Sequence, residues 1–198
     1  MTSGLSPDGV DLVVVGASWG GVDAAMQVLR ELPAPLPVPV LLVLHRSRTS
    51  ERALLERVIE RDCGHPAREL GDKDDLTAGT IHLAPPDYHV LVEGGSVSLT
   101  VEDPVNHSRP SVDLAFETAA EDHAERLVAV LLSGLGRDGA HGIEVVHRHG
   151  GRTLVQDPAE AERPDMPQAA IDTGCVDEVA TLRGIGLRLR ELLEGGGR

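Results

Sequence analysis

A chain of 198 residues with 41% apolar side chains is long enough to bury one hydrophobic core without disulfide staples. Its formal charge of -14 argues against nucleic acid or an anionic membrane surface as partner, because phosphates would be repelled. Only 2% of the residues are aromatic, so the core must come from Val, Leu and Ala, which suits buried parallel strands covered by helices.

Residues 1–10 read as a loose polar leader, unlike a signal peptide, and no apolar run approaches the roughly 20 residues of a membrane span. A cytoplasmic protein is expected. Cys63 and Cys175 lie far apart, which points to two reduced cysteines rather than a disulfide framework.

The stretch 11–32, DLVVVGASWGGVDAAMQVLREL, sets the pattern for the rest of the chain. An apolar run over 12–15 breaks at Gly16-Ala17-Ser18-Trp19-Gly20-Gly21 and gives way to apolar residues at helical spacing, Val22, Ala25, Val28/Leu29 and Leu32. The expectation is strand, tight glycine turn and helix, with the Ser18 hydroxyl lifted above the strand end beside free helix N–H groups. Gly16-x-Ser18-x-Gly20 matches a nucleophile elbow, although such a turn also serves phosphate binding or plain packing.

A proline-rich linker leads into a second apolar strand over 38–44, which ends at His45-Arg46-Ser47, and a helix comes next at about 51–61. The charge run 72–75 reads as a solvated loop. Short strands are expected over 80–84, 89–93 and 96–101, the last two joined as a hairpin across Gly94-Gly95, with His82 and His89 structural. A polar loop over 104–110 precedes a helix at 112–123.

A third apolar strand, 127–132, runs into a second glycine-rich turn, SGLGRDG, and a helix from Ala140 to His147. Asp138 falls at the start of that helix, where capping is the plain reading. A strand at 152–156, a short helix ending at Ile171, a strand at 176–180 and a helix at 182–193 complete the domain 11–194, with 195–198 as a tail. His141, His147 and His149 do not share one helix face, so no metal site is expected.

This alternation predicts an α/β fold, doubly wound, with a mostly parallel sheet, helices on both faces and a small antiparallel hairpin. Ligands on such sheets bind beyond the carboxyl ends of the strands, at a switch in strand order. Ser18, His45 and Asp138 each come just after a strand's carboxyl end, so together they offer a nucleophile, a base and an orienting carboxylate. Backbone N–H groups of Trp19 and Leu135, in the two glycine turns, are candidate oxyanion donors. The chemistry of such a set requires neither a metal nor an organic cofactor. Nucleotide binding through residues 15–21 is a rival use, but the spacing is not G-x-G-x-x-G and the second strand ends in His45 rather than an acid.

Six ordered blocks, VVVGASWGG, LVLHRS, GTIHLAPPDYHV, VNHSRPSVDLAF, VLLSGLGRDGAHG and DMPQAAIDTGCVDEV, resemble the catalytic domain of the chemotaxis protein-glutamate methylesterases, the CheB family. The resemblance runs over about 11–193. It implies a nucleophile at Ser18, a histidine at His45, an aspartate at Asp138 and an oxyanion donor at Leu135, where methionine is usual. It further implies hydrolysis of glutamate methyl esters on the cytoplasmic domain of methylated chemoreceptors, with glutamine deamidation in some members. Arg109, in the 104–110 loop, and Met166 are the candidate substrate-binding residues.

The family typically carries an N-terminal receiver domain; with ten residues before the first strand, control in cis is not expected and a response regulator acting in trans is a candidate partner. Trp19 stands where the family has threonine, Arg46 replaces a methionine and Asp165 a glycine. An indole that closes the pocket would leave a different protein, a catalytically weak receptor-binding regulatory module of the same fold.

Overall fold

The computed structural model describes residues 9–46 and 52–195. Most of the expected leader, residues 196–198 of the expected tail, Ser47 and the first residue of the expected second helix lie outside the described residues.

Seven strands form one parallel sheet in the order β3-β4-β2-β1-β7-β8-β9, and β5 and β6 form a separate antiparallel pair. The central three, β1 (Leu12–Ala17), β2 (Val40–Leu44) and β7 (Leu127–Leu131), are the apolar runs, and every residue in them is buried. With helices on both faces, neither side of such a strand can tolerate a polar side chain. The outer strands are β3 (Ala67–Glu69), β4 (Ile81–Leu83), β8 (Arg152–Gln156) and β9 (Glu178–Ala180). The hairpin pairs β5 (His89–Glu93) with β6 (Ser96–Thr100).

Alternation along β1 sends Val13, Val15 and Ala17 to one core layer and Leu12 and Val14 to the other. The first layer is closed by α1 (Gly21–Leu29) and α6 (Leu182–Glu194), with α2 (Arg52–Cys63) beside them. The second is closed by α3 (Val112–His123), α4 (Ala140–Arg148) and α5 (Asp165–Ile171). From β1 the chain leaves through α1 toward β2; from β7 it leaves through α4 toward β8, on the opposite face and in the opposite direction. The switch in strand order therefore falls between β1 and β7.

Several expected boundaries shift. Sheet pairing begins at Val40 rather than Val38, since Pro37 and Pro39 flank Val38 and prolines donate nothing to a ladder. Helix α1 stops at Leu29, three residues short of Leu32, close before Pro33 and Pro35. Strand β3 was not expected: three half-buried residues at a sheet edge carry no periodic signal. Both cysteines are free, and no helix among the described residues is long and apolar enough to cross a membrane.

Candidate active site

Parallel pairing of β1 with β2 puts Ala17 opposite Leu44, and the His45 N–H continues the ladder by donating to the Ala17 carbonyl at 3.1 Å. On the other side of β1, the Ser18 N–H donates to the Ser133 carbonyl at 2.9 Å. Ser18 and the loop after β7 are thus stitched together at the switch point, with His45 one strand away. Leu44 faces α1 and α6, so the next residue, His45, turns to the face that holds α3.

The elbow itself depends on Gly20, whose φ of 72° belongs to the left-handed region, and Gly21 N–H closes the turn on the Ser18 carbonyl at 2.8 Å. Gly134 meets a different demand, close approach. A Cβ there would collide with the Met166 sulfur and lie 2.8 Å from the Ser18 Cβ. The loop after β7 can lie against Ser18 only because residue 134 has no side chain.

His45 Nε2 lies 2.8 Å from Asp138 Oδ2, and their side chains are 15% and 2% exposed. A carboxylate can only accept, so this contact places the imidazole proton on Nε2 and leaves the Nδ1 lone pair free to accept. Nδ1 takes the Ser108 hydroxyl at 3.2 Å. The Ser18 hydroxyl makes no hydrogen bond among the described residues, so His45 and Asp138 are joined directly while Ser18 is brought near by strand register alone.

Asp138 does not cap its own helix, which was the plain expectation for its position. The N-cap of α4 is Gly139, which has no side chain of its own to cap with. Asp138 instead accepts from the start of α3: from the Ser111 hydroxyl at 2.9 Å, the Val112 N–H at 2.7 Å and the Asp113 N–H at 3.1 Å. Burial opposes its ionisation, but the His45 hydrogen bond and these N–H groups outweigh burial and hold its carboxyl below the ordinary value.

The backbone N–H groups of Trp19 and Leu135 make no hydrogen bond among the described residues. The Trp19 indole, 56% exposed, donates from Nε1 to Glu162 at 2.8 Å and lies under the Arg163 guanidinium, 5.6 Å from the ring centre, which draws it toward the loop after β8. Arg109 donates to the carbonyls of Val101 and Glu102, each at 2.9 Å, and pairs with Asp87 at 3.5 Å, so its charge fastens its own loop. Met166 is fully buried, with its N–H on the Gly134 carbonyl at 3.0 Å. Arg46 joins Glu69 at 3.1 Å and the Ala84 carbonyl at 3.0 Å, tying the end of β2 to the outer strands. Sequence reasoning missed Asn106, Ser111 and Asp113, which surround Asp138; their signal was the polar texture of VNHSRPSVD just before a helix.

Among the described residues no group of three or more His, Cys, Asp and Glu side chains is arranged to hold a metal. His82 and His89 serve structure: His82 Nε2 accepts from Thr77 N–H at 3.0 Å, and His89 Nδ1 accepts from Ser111 N–H at 3.1 Å.

A family model described as CheB methylesterase matches residues 13–189. A Leptospira interrogans protein provisionally named protein-glutamate methylesterase/protein-glutamine glutaminase is 36% identical over 176 residues, 88% of this chain and 91% of that protein. An Anaeromyxobacter dehalogenans protein named protein-glutamate methylesterase/protein-glutamine glutaminase 2 is 39% identical over 183 residues, 92% of this chain but 53% of its own length. The crystal structure of the Thermotoga maritima CheB methylesterase catalytic domain superposes with a TM-score of 0.87 at 29% identity, over 92% of this chain and 98% of that one.

Proposed function

Starting from the fact that the chain belongs to the CheB methylesterase family, we propose that it hydrolyses methyl esters of glutamate side chains on chemoreceptors through Ser18, His45 and Asp138. The observation that carries this reading is the 2.8 Å His45–Asp138 contact at the switch point, one strand from a serine on a glycine elbow.

In this reaction the Ser18 oxygen attacks the ester carbonyl while His45 Nδ1 accepts its proton, once the Ser108 hydroxyl has given up that nitrogen. Asp138 keeps the tautomer and stabilises the imidazolium that forms. Negative charge on the tetrahedral oxygen is met by the N–H groups of Trp19 and Leu135. The imidazolium then protonates the departing methoxide, methanol leaves, and water activated by the same histidine releases the glutamate carboxylate. Methoxide departs from an acyl carbon more readily than an amide nitrogen, so esterase turnover should exceed any glutamine deamidation. Arg109 and Met166 support this site from behind, through the 104–110 loop and through Gly134, rather than by contact with the ester.

One distance favours a second assignment of the nucleophile within the same reaction. Ser108, not Ser18, is the hydroxyl seated on His45 Nδ1. Ser108 has no elbow to lift it, which is why Ser18 is preferred.

Methanol release from a methylated chemoreceptor cytoplasmic fragment tests the reading. Ser18→Ala and Asp138→Asn should each lower kcat by about 10⁴-fold in folded protein. Undiminished turnover in Ser18→Ala would move the nucleophile to Ser108; an inert wild type on several methylated receptors would overturn the activity.

A further inference from the structure

Asp113 takes no part in the esterase steps, yet it is 4% exposed and fully engaged. Its Oδ1 accepts the N–H groups of Gly139 and Gly142 at 2.8 and 2.7 Å, at the start of α4, while Asp138, from the loop leading into α4, accepts the first N–H groups of α3. Each helix N-terminus is therefore satisfied by a carboxylate delivered from the other. The Asn106 amide closes the ring, with Nδ2 at 2.7 Å from Asp113 Oδ2 and 3.4 Å from Asp138 Oδ1.

This ring bears on the chemistry because Asp138 uses the same oxygen, Oδ2, for His45 and for Val112 N–H. The aim of Asp138 at the imidazole is thus set by where α3 begins relative to the glycine turn. That relation is fixed by Asp113 on Gly139 and Gly142. We propose that Asp113 is a positioning residue for the esterase reaction, holding Asp138 against His45 through the reciprocal helix caps and the Asn106 amide. The proposal rests on the proposed catalytic role of Asp138.

A second carboxylate is a costly way to cap a helix here. Burial, together with the charges of Asp138 and Glu117, raises the Asp113 carboxyl to about 6 despite its two glycine N–H donors. An asparagine could keep both glycine contacts, but its amide would face the Asn106 amide, donor against donor. The aspartate fits because all the groups around it donate except Asp138 and Glu117. His45 lies beyond Asp138, and His141 faces Glu117 at 3.8 Å from α4.

The test compares kcat, KM and the pH profile of methanol release for wild type, Asp113→Asn, Asn106→Ala and Asp138→Asn, using the full chain and methylated receptor fragment. Asp113→Asn should lower kcat roughly 10- to 100-fold, as a small misplacement of a reacting group does, with KM nearly unchanged. It should also move the acidic limb to lower pH, because a negative charge near the imidazole is gone. Asn106→Ala removes the bridge from an exposed loop residue and leaves both caps; it should lower kcat and move the acidic limb in the same direction by a smaller amount, since Asp113 loses a donor and stays protonated to higher pH. Asp113→Asn added to Asp138→Asn should cost little more than Asp138→Asn alone. If both single variants fold and keep kcat within about twofold of wild type, less than the smallest misplacement effect considered, with unmoved limbs, Asp113 is a helix cap only. Should Asp113→Asn not fold, Asn106→Ala decides by the same criteria. Full turnover in Asp138→Asn would instead overturn the catalytic assignment on which the proposal stands.

Discussion

Trp19 shows how a side chain and its backbone separate in function. The proposed reaction uses only its N–H, which any residue but proline could supply, whereas the indole hydrogen-bonds Glu162 and lies under Arg163. Loss of one oxyanion donor typically costs about 10²–10³ in kcat, so Trp19→Ala, which keeps the donor, should change kcat less than about tenfold. Its stability should fall by about 1–2 kcal/mol, the worth of an exposed cation–π and hydrogen-bond pair. Methanol release and urea denaturation read both. A collapse of kcat would mean that the indole itself shapes the acyl pocket. That Ser18, His45 and Asp138 lie at one edge of the sheet was legible because each follows the end of an apolar strand. Asp113 was not legible as part of the site, since it looks like any acidic residue in a first helical turn and its partners at 139 and 142 are remote in sequence.

Two glycine turns meet as paired elements, and the fit between them is narrow. Gly134 has the Met166 sulfur on one side and Ser18 on the other, so an added methyl must displace one of them. Gly134→Ala should destabilise by about 1–3 kcal/mol, as overpacking does, and lower kcat as the Ser18 loop is pushed. Adding Met166→Ala makes room; the double variant should be less destabilised than the sum of the single changes. Strict additivity in urea denaturation would contradict the contact. Helices α3 and α4 were both expected at nearly their observed bounds, each after a polar or glycine-rich loop. Their exchange of capping carboxylates was not, because a sequence shows which residue begins a helix but not which neighbouring helix begins beside it.

At the scale of the whole molecule, two of the shifted carboxylates act on the pH dependence of stability in opposite directions. Asp113 is raised from 3.8 to about 6, so between those values the folded chain keeps a proton that the unfolded chain has lost. Its contribution therefore weakens the fold as pH rises through that window. Asp138 is lowered, so the stability it adds is present above its unfolded value and lost as pH falls through the folded one. The stability of Asp113→Asn relative to wild type should accordingly improve by a few kcal/mol between pH 4 and 7, measured by urea denaturation. A difference that stays flat across that range would contradict the raised carboxyl. The doubly wound class was legible from three apolar strands and the helices after them, whereas the switch point between β1 and β7 follows from the strand order, which no residue pattern announces. Edge strand β3 was not legible either, because β3 owes its state to β4 rather than to its own residues.

The nucleophile is tested most directly by reacting the protein with a fluorophosphonate, which phosphonylates an activated serine, and mapping the modified peptide by mass spectrometry. The adduct should fall on Ser18 and be lost or greatly slowed in Asp138→Asn, with Ser108 unmodified. An adduct on Ser108, or none on a protein that still releases methanol, would contradict the role given to Ser18.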